Sequence, residues 1–63
     1  MNVKQYGVIF TGDFFTLRTC VDANNEHEAL TNARQLLLDY HGINTEQLGE
    51  TNAEVELEGE WLI

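Results

Sequence analysis

A segment with capping residues at both ends constrains this chain most strongly, because it predicts one helix between two regions of strand character. Asn25 is a typical N-cap, Glu28 follows three residues later as in a capping box, and Gly42 suits the left-handed residue after a last helical turn. Between them, apolar residues recur at helical spacing: Ala29, Leu30, Ala33, Leu36, Leu37 and Tyr40. The pattern predicts a helix over residues 26–41 with a single apolar stripe.

Two segments rich in β-branched and aromatic residues precede this helix. Residues 3–11 and 14–22 flank Gly12 and Asp13, which suit the centre of a two-residue hairpin turn. That turn predicts the pairs Thr11 with Phe14, Phe10 with Phe15, Val8 with Leu17 and Tyr6 with Thr19. One face then collects the core candidates Tyr6, Val8, Phe10, Phe15, Leu17 and Val21. The other face carries Gln5, Gly7, Ile9, Phe14, Thr16, Arg18 and Cys20, among which Ile9 and Phe14 are apolar exceptions.

The C-terminal region predicts a third strand. Residues 54–62 alternate between glutamate and mostly apolar residues, which is the period of a strand, and we expect Val55, Leu57 and Trp61 to face inward. The polar residues 43–53 predict an ordered loop in which Ile43 and Leu48 contact the helix end.

The order of these elements predicts an α+β fold of ββαβ type, in one domain over residues 1–63. A helix that crosses back after the second strand makes the third strand parallel to the second and antiparallel to the first. The sheet is therefore expected to be three-stranded, in the order 2-1-3, with the helix packed on one face. The second face remains uncovered, which sheets with antiparallel pairing tolerate when that face is polar.

The length of 63 residues makes a lone hydrophobic core marginal, because such a domain buries only about 60% of the surface that its unfolded chain exposes. Self-association or partner binding is therefore expected. Cys20 is the only cysteine, so an internal disulfide is excluded. The N-terminal region has only short apolar runs, from which we expect no signal peptide, no membrane span and a cytoplasmic location.

The charge is strongly acidic and uneven along the chain. The formal net charge is -8, and the three basic residues all lie within residues 1–34. The remaining residues contain only acidic charges: Asp39, Glu46, Glu50, Glu54, Glu56, Glu58 and Glu60. In regular strand geometry the last four are expected to point the same way, about 6.6 Å apart. Such a charge distribution disfavours direct binding of nucleic acid, because phosphates are repelled.

Two interpretations of these carboxylates stay open. They are either the solvated face of an amphipathic strand or a surface that binds a basic partner, such as the nucleic-acid-binding surface of another protein. For the second interpretation, the partner-binding candidates are Glu46, Glu50, Glu54, Glu56, Glu58 and Glu60, with Phe14 and Ile9 as an apolar centre. A weak calcium or magnesium site is a lesser alternative, because alternate strand residues diverge too far to surround one ion.

The residues that carry catalysis in enzymes are sparse in this chain. His27 and His41 lie at opposite ends of the predicted helix, and Cys20 has no cationic neighbour in sequence that activates it. No nucleotide-binding, nucleophile-elbow or zinc-protease motif is present. We therefore expect no enzyme activity, no catalytic residue, no cofactor and no dedicated metal site.

The segment FTGDFFTLRTCVDANNEHEAL, a short hairpin that passes directly into an Asn-capped helix, is followed by one last strand. This layout resembles that of the host RNA polymerase inhibitors of podoviruses, and the size and acidity are similar to those of anti-restriction and anti-CRISPR proteins. The resemblance implies a small phage-encoded inhibitor of host machinery that acts in the host cytoplasm. It implies inhibition by occlusion, in which the acidic strand occupies a basic channel where nucleic acid normally passes.

The alternative function is a small homo-oligomeric structural subunit with the glutamate row as a solvated face. A symmetric dimer would bury the open sheet face or an edge strand, and Ile9, Phe14 and Trp61 would then matter more than charge. The third strand suits pairing within its own chain and pairing across such a dimer equally well.

Overall fold

The computed structural model describes residues 2–62, and the side chains of residues 4–59. The elements are β1 (Asn2–Gly12), β2 (Thr16–Ala23), α1 (Glu26–His41) and β3 (Glu50–Leu62). β1 is the central strand and pairs antiparallel with both neighbours, in the order β2-β1-β3. The helix packs on one face of the sheet and the other face is open. The predicted α+β fold, strand order and strand directions are confirmed.

The helix has the predicted bounds, and its two caps explain why. Asn25 Oδ1 accepts a hydrogen bond from the Glu28 backbone N–H at 2.8 Å. Gly42 has a φ of 65°, the left-handed region that glycine adopts without strain, and donates its N–H to Leu38 O at 3.1 Å. The reciprocal half of the expected capping box is absent, because the Glu28 carboxylate accepts from the Asn24 side-chain amide at 3.4 Å.

The core lies between the helix and one face of the sheet. Val8 and Phe10 of the central strand are fully buried, and small helix residues let the helix approach them closely. The buried apolar residues are Tyr6, Val8, Phe10, Val21, Ala23, Ala29, Ala33 and Leu37. Phe15, Leu17 and Ile43 pack against this cluster, as expected. Tyr40 and Leu48 are exposed, so the expectation that they pack inward is wrong.

The hairpin register differs from the predicted one by two residues. Thr11 is opposite Thr16, Phe10 opposite Leu17, Val8 opposite Thr19 and Tyr6 opposite Val21. The turn is closed by the Gly12 N–H, which donates to Phe15 O at 2.9 Å, so its centre is Asp13 and Phe14. A shift of two residues leaves the paired side chains on their predicted faces, because side chains alternate with a period of two. The expectation that Phe14 lies on the open face is wrong, because the shift places it in the turn.

β3 begins at Glu50, four residues before the expected start at residue 54. Its register against β1 shifts within the strand: Gln5 is opposite Gly59, whereas Tyr6 is opposite Leu57. Glu58 is therefore the extra residue of a β-bulge. Val55 packs on the core as expected, but the expectation for Leu57 is wrong, since it is 56% exposed. The side chain of Trp61 lies outside the described residues.

Candidate functional site

The open face of the sheet has a regular pattern of side chains from its three strands. Ile9 of β1 lies between Arg18 of β2 and Glu54 of β3, and Gly7 lies between Cys20 and Glu56. The alternation of the strands puts these residues on the face opposite the buried Val8. One edge of the open face therefore carries Arg18 and Asp22, and the other carries Glu54 and Glu56.

The bulge directs the Glu58 side chain across the central strand. Its carboxylate forms an ion pair with the Arg18 guanidinium of β2 and accepts a hydrogen bond from Cys20 Sγ at 3.4 Å. This path runs over Gly7, where a Cβ atom would collide with the Glu58 carboxylate. A glycine at position 7 therefore permits contact between the two edge strands. The ion pair itself is exposed, so it contributes at most about 1 kcal/mol to stability.

The same contact affects the chemistry of Cys20. The hydrogen bond to the Glu58 carboxylate raises the pKa of the Cys20 thiol, and desolvation and the negative charge of Glu58 act in the same direction. The expectation that Cys20 has no cationic neighbour is wrong, because Arg18 opposes this rise in pKa, although its effect is smaller. Cys20 is exposed, and the Glu58 carboxylate is the main influence on the pKa of its thiol.

Replacing Glu58 with glutamine should therefore accelerate the alkylation of Cys20. The amide carries no charge, so the thiol pKa falls and the fraction of thiolate at pH 8 increases. We expect iodoacetamide to react about two- to fivefold faster with Glu58→Gln than with the wild type at pH 8. Glu56→Gln is the matched control, because it removes a carboxylate from the same face without a contact to Sγ. Equal rates in all three proteins would contradict the prediction.

The outer acidic surface consists of Glu54 and Glu56. Both are exposed, and the salt bridges of the described residues include neither of them. The expected row of four glutamates does not continue to Glu60, because the bulge places Glu60 opposite Lys4, one step out of the alternation. The side chain of Glu60 is outside the described residues. We call Glu54 and Glu56 the acidic pair.

Glu46 and Glu50 lie elsewhere, around Arg34 of the helix. The Arg34 guanidinium donates to both carboxylate oxygens of Glu50, at 2.7 and 2.8 Å, and to Thr45 Oγ1 at 3.3 Å. Glu46 is 3.8 Å from the same guanidinium and is largely exposed. The Glu50 side chain is only 9% exposed, so its carboxylate is committed to this internal ion pair. The structure does not bring these two glutamates together with the acidic pair.

The two apolar candidates are also separated. Ile9 is half-buried in the middle of the open face, between Arg18 and Glu54. Phe14 is fully exposed at the tip of the hairpin, beyond the Thr11–Thr16 pair. Ile9 is therefore the apolar centre of this face, and Phe14 is not part of it.

The sequence-based prediction included neither the path of Glu58 over the central strand nor the pairing of Arg34 with Glu50. Gly59 inside the strand pattern is a typical sign of a bulge, and Gly7 in a strand interior is a sign of close approach by another group. Together they signalled the path of Glu58 over the central strand. The pairing of Arg34 with Glu50 had no such local sign, because it joins the helix to a strand 16 residues later.

Residues 31–46 form a shallow groove between the end of α1 and the following loop. Its volume is about 280 Å³, and its lining includes Thr31, Arg34, Leu38 and Ile43. The Arg34 guanidinium in this groove is already bound to Glu50 and stacks over the Phe10 ring at 5.4 Å from its centroid. The charged group that lines this groove therefore stabilises the fold through its contacts with Glu50 and Phe10.

Searches within the described residues find no group of three or more His, Cys, Asp or Glu side chains that could hold a metal ion. No helix among residues 2–62 has the length and apolar character needed to cross a membrane. Comparisons of the chain with protein-family models, with curated proteins and with solved structures gave no match.

Proposed function

We propose that this chain is a non-enzymatic protein-interaction module that binds a basic surface of a partner protein through the acidic edge of its open sheet face. In this proposal it acts as an inhibitor, and the surface that it covers is one that otherwise binds nucleic acid. The observation that carries the proposal is the acidic pair: two exposed carboxylates, outside the described salt bridges, on an uncovered sheet face.

Electrostatics supports a basic partner. Neighbouring carboxylates on one side of a strand are about 6.6 Å apart and repel each other by roughly 0.6 kcal/mol in water. A partner that places Lys or Arg side chains against the acidic pair relieves this repulsion. The net charge of -8 also attracts a basic partner at long range and accelerates its association.

The geometry limits how much nucleic acid this surface resembles. One DNA strand carries a charge about every 3.4 Å, whereas strand carboxylates on one face are spaced about twice as far apart. The carboxylates of Glu50 and Glu58 are bound within the chain by Arg34 and Arg18. The proposed contact is therefore with a short basic patch of the partner, rather than with the whole length of a nucleic-acid channel. On this chain, Ile9 forms the small apolar centre of the contact.

Charge reversal of the acidic pair tests the proposal. We expect Glu54→Lys/Glu56→Lys to bind the partner at least about tenfold more weakly, because two attractive contacts become repulsive. Asp13→Lys/Asp39→Lys is the matched control: it makes the same change in net charge at exposed positions in the hairpin turn and on the helix. Tagged forms of the three proteins, each shown to be folded by circular dichroism, are used to capture partners from a bacterial lysate at low and high salt. The captured proteins are identified by mass spectrometry.

Support requires a captured protein with a basic nucleic-acid-binding surface, retained by the wild type and the control and lost by the reversed variant. Its affinity must then fall with added salt and with added nucleic acid, because both compete for the basic surface. A partner that binds the reversed variant as tightly as the wild type would overturn the proposal.

A further inference from the structure

We infer that the free edge of β3 binds a basic extended segment of a partner, which joins the sheet as a fourth strand. This inference rests on the proposed function and specifies how the partner is bound. It adds backbone hydrogen bonds along the edge to the contacts of the acidic pair.

The edge of β3 has the regularity that strand addition needs. Residues 52–57 pair with residues 11–6 of β1 without a shift, which gives six consecutive residues in regular register. Among the described strands, β3 has β1 as its single neighbour. The outward N–H and C=O groups of residues 52–57 therefore form a template for another strand.

The other edge of the sheet is a poorer template. β2 pairs with β1 without a shift over all 8 of its residues, so regular register alone does not distinguish the two edges. The helix reaches over β2, however, since the Asn32 side-chain amide donates to the Asp22 backbone oxygen at 3.2 Å. A backbone acceptor of β2 is thus already used by α1, and the acidic pair lies on β3, so the edge that fits a basic strand is that of β3.

The side chains beside this edge define the chemistry of the added strand. Glu54 and Glu56 flank it on the open face, while Val55 and the half-exposed Leu57 flank it on the helix side. Side chains on adjacent strands have Cβ atoms about 4.5 to 5.5 Å apart when they are directly opposite. A segment that alternates Lys or Arg with apolar residues matches both sides at once, with its charges beside the acidic pair.

The same charges disfavour a second copy of this chain at the edge. Two β3 edges would bring carboxylates of the acidic pair close to those of the other copy, and like charges that face each other destabilise a strand pair. The bulge at Glu58 further interrupts regular pairing beyond Leu57. The edge is therefore selective: its carboxylates repel the same edge of a second copy and attract a basic strand.

The test uses short synthetic peptides with the intact chain. The parent peptide alternates four Lys with three Val residues and has blocked ends, and its acidic analogue has Glu in place of Lys. Two further peptides carry backbone N-methyl groups. The first peptide is methylated on every Val amide, and the second is methylated on every internal Lys amide. Successive N–H groups of a strand point in opposite directions, so one of these sets faces β3 and the other faces solvent.

Strand addition predicts an asymmetric result in fluorescence anisotropy titrations. We expect one N-methylated peptide to bind at least about tenfold more weakly than the parent and the other to bind within about threefold. The acidic analogue should bind at least about tenfold more weakly to the wild type, and Glu54→Lys/Glu56→Lys should reverse that preference. Hydrogen exchange should slow at amides within residues 52–57 when the parent peptide is bound.

Three results would overturn the inference. Equal binding of both N-methylated peptides would mean that the contact is made by side-chain charge alone, which leaves the proposed function intact. Absence of parent-peptide binding up to about 1 mM would exclude the site. A dimer in sedimentation experiments, with residues 52–57 already protected from exchange, would mean that a second copy occupies the edge. The proposed function fails separately, when charge reversal leaves partner capture unchanged.

Discussion

Phe10→Ala is expected to remove a large part of the protein's stability. The Phe10 side chain is fully buried near the C-terminal end of β1 and is covered by the Arg34 guanidinium, whose central carbon is 5.4 Å from the ring centroid. Truncation of a buried phenylalanine costs about 3 to 5 kcal/mol, through lost burial and the cavity that remains. A domain of 63 residues has a total stability of about 3 to 9 kcal/mol, so the loss is at least about one third of the total. Urea unfolding followed by circular dichroism measures the difference.

Phe14→Ala is the matched control for that experiment. The same atoms are removed, but Phe14 is fully exposed at the tip of the hairpin. Its free energy of unfolding should stay within about 0.5 kcal/mol of the wild type. A loss of stability at Phe14 comparable to the loss at Phe10 would contradict the placement of the hairpin turn.

Arg34→Met is expected to destabilise the protein by about 2 to 3 kcal/mol. Removing one member of a buried ion pair typically costs about 3 to 5 kcal/mol, because the other charge is left without a partner. The cost is smaller here because the Arg34 side chain is 32% exposed, although that of Glu50 is 9% exposed. The buried Thr45 hydroxyl also loses the guanidinium as a hydrogen-bond partner. Methionine retains the unbranched stem, so the measured loss reports the ion pair more than packing.

The Glu50→Gln substitution completes a double-mutant cycle for this prediction. The double variant Arg34→Met/Glu50→Gln leaves no buried charge unpaired at this position, since Glu46 is largely exposed, so it should lose less stability than the sum of the two single variants. We expect a coupling energy of about 1 to 3 kcal/mol in urea unfolding. Additive losses would show that the two side chains contribute independently, contrary to their bidentate geometry.

The helix was predictable to the residue because its limits are local. Asn25 and Gly42 each satisfy backbone groups of the adjacent helical turn, so the sequence around each position is sufficient to identify the helix end. The core face of the hairpin was predictable for a similar reason, since alternation alone separates Val8 and Phe10 from Gly7 and Ile9.

The hairpin register and the burial of residues within β3 depend on contacts between distant residues. The local alternation of apolar and polar residues does not reveal these contacts. Burial is identical for two registers that differ by two residues, so the alternation gave no basis for choosing between Phe15 and Leu17 as the partner of Phe10. Leu57 was expected inside because it is apolar and in phase with Val55. The helix begins beside Ala23 at the far edge of the sheet and leaves Leu57 partly uncovered.

The candidate site was only partly predictable, because charge partners came from distant positions. The glutamates of the C-terminal region were identified from sequence, but the bulge changes the alternation at Glu58 and sends this carboxylate to Arg18. Glu50 likewise finds Arg34 across the fold. What remains of the predicted row is the acidic pair, whose role in binding stays a prediction.

The central position of β1 has a consequence for the order of folding. β1 pairs with β2 through a short hairpin, but its pairing with β3 joins residues as distant as Asn2 and Leu62. Loops of that length close slowly relative to a hairpin. During synthesis, one edge of β1 therefore stays unpaired until residues 50–62 have left the ribosome. The core is therefore completed only when β3, which contributes Ala53 and Val55 to it, pairs with β1.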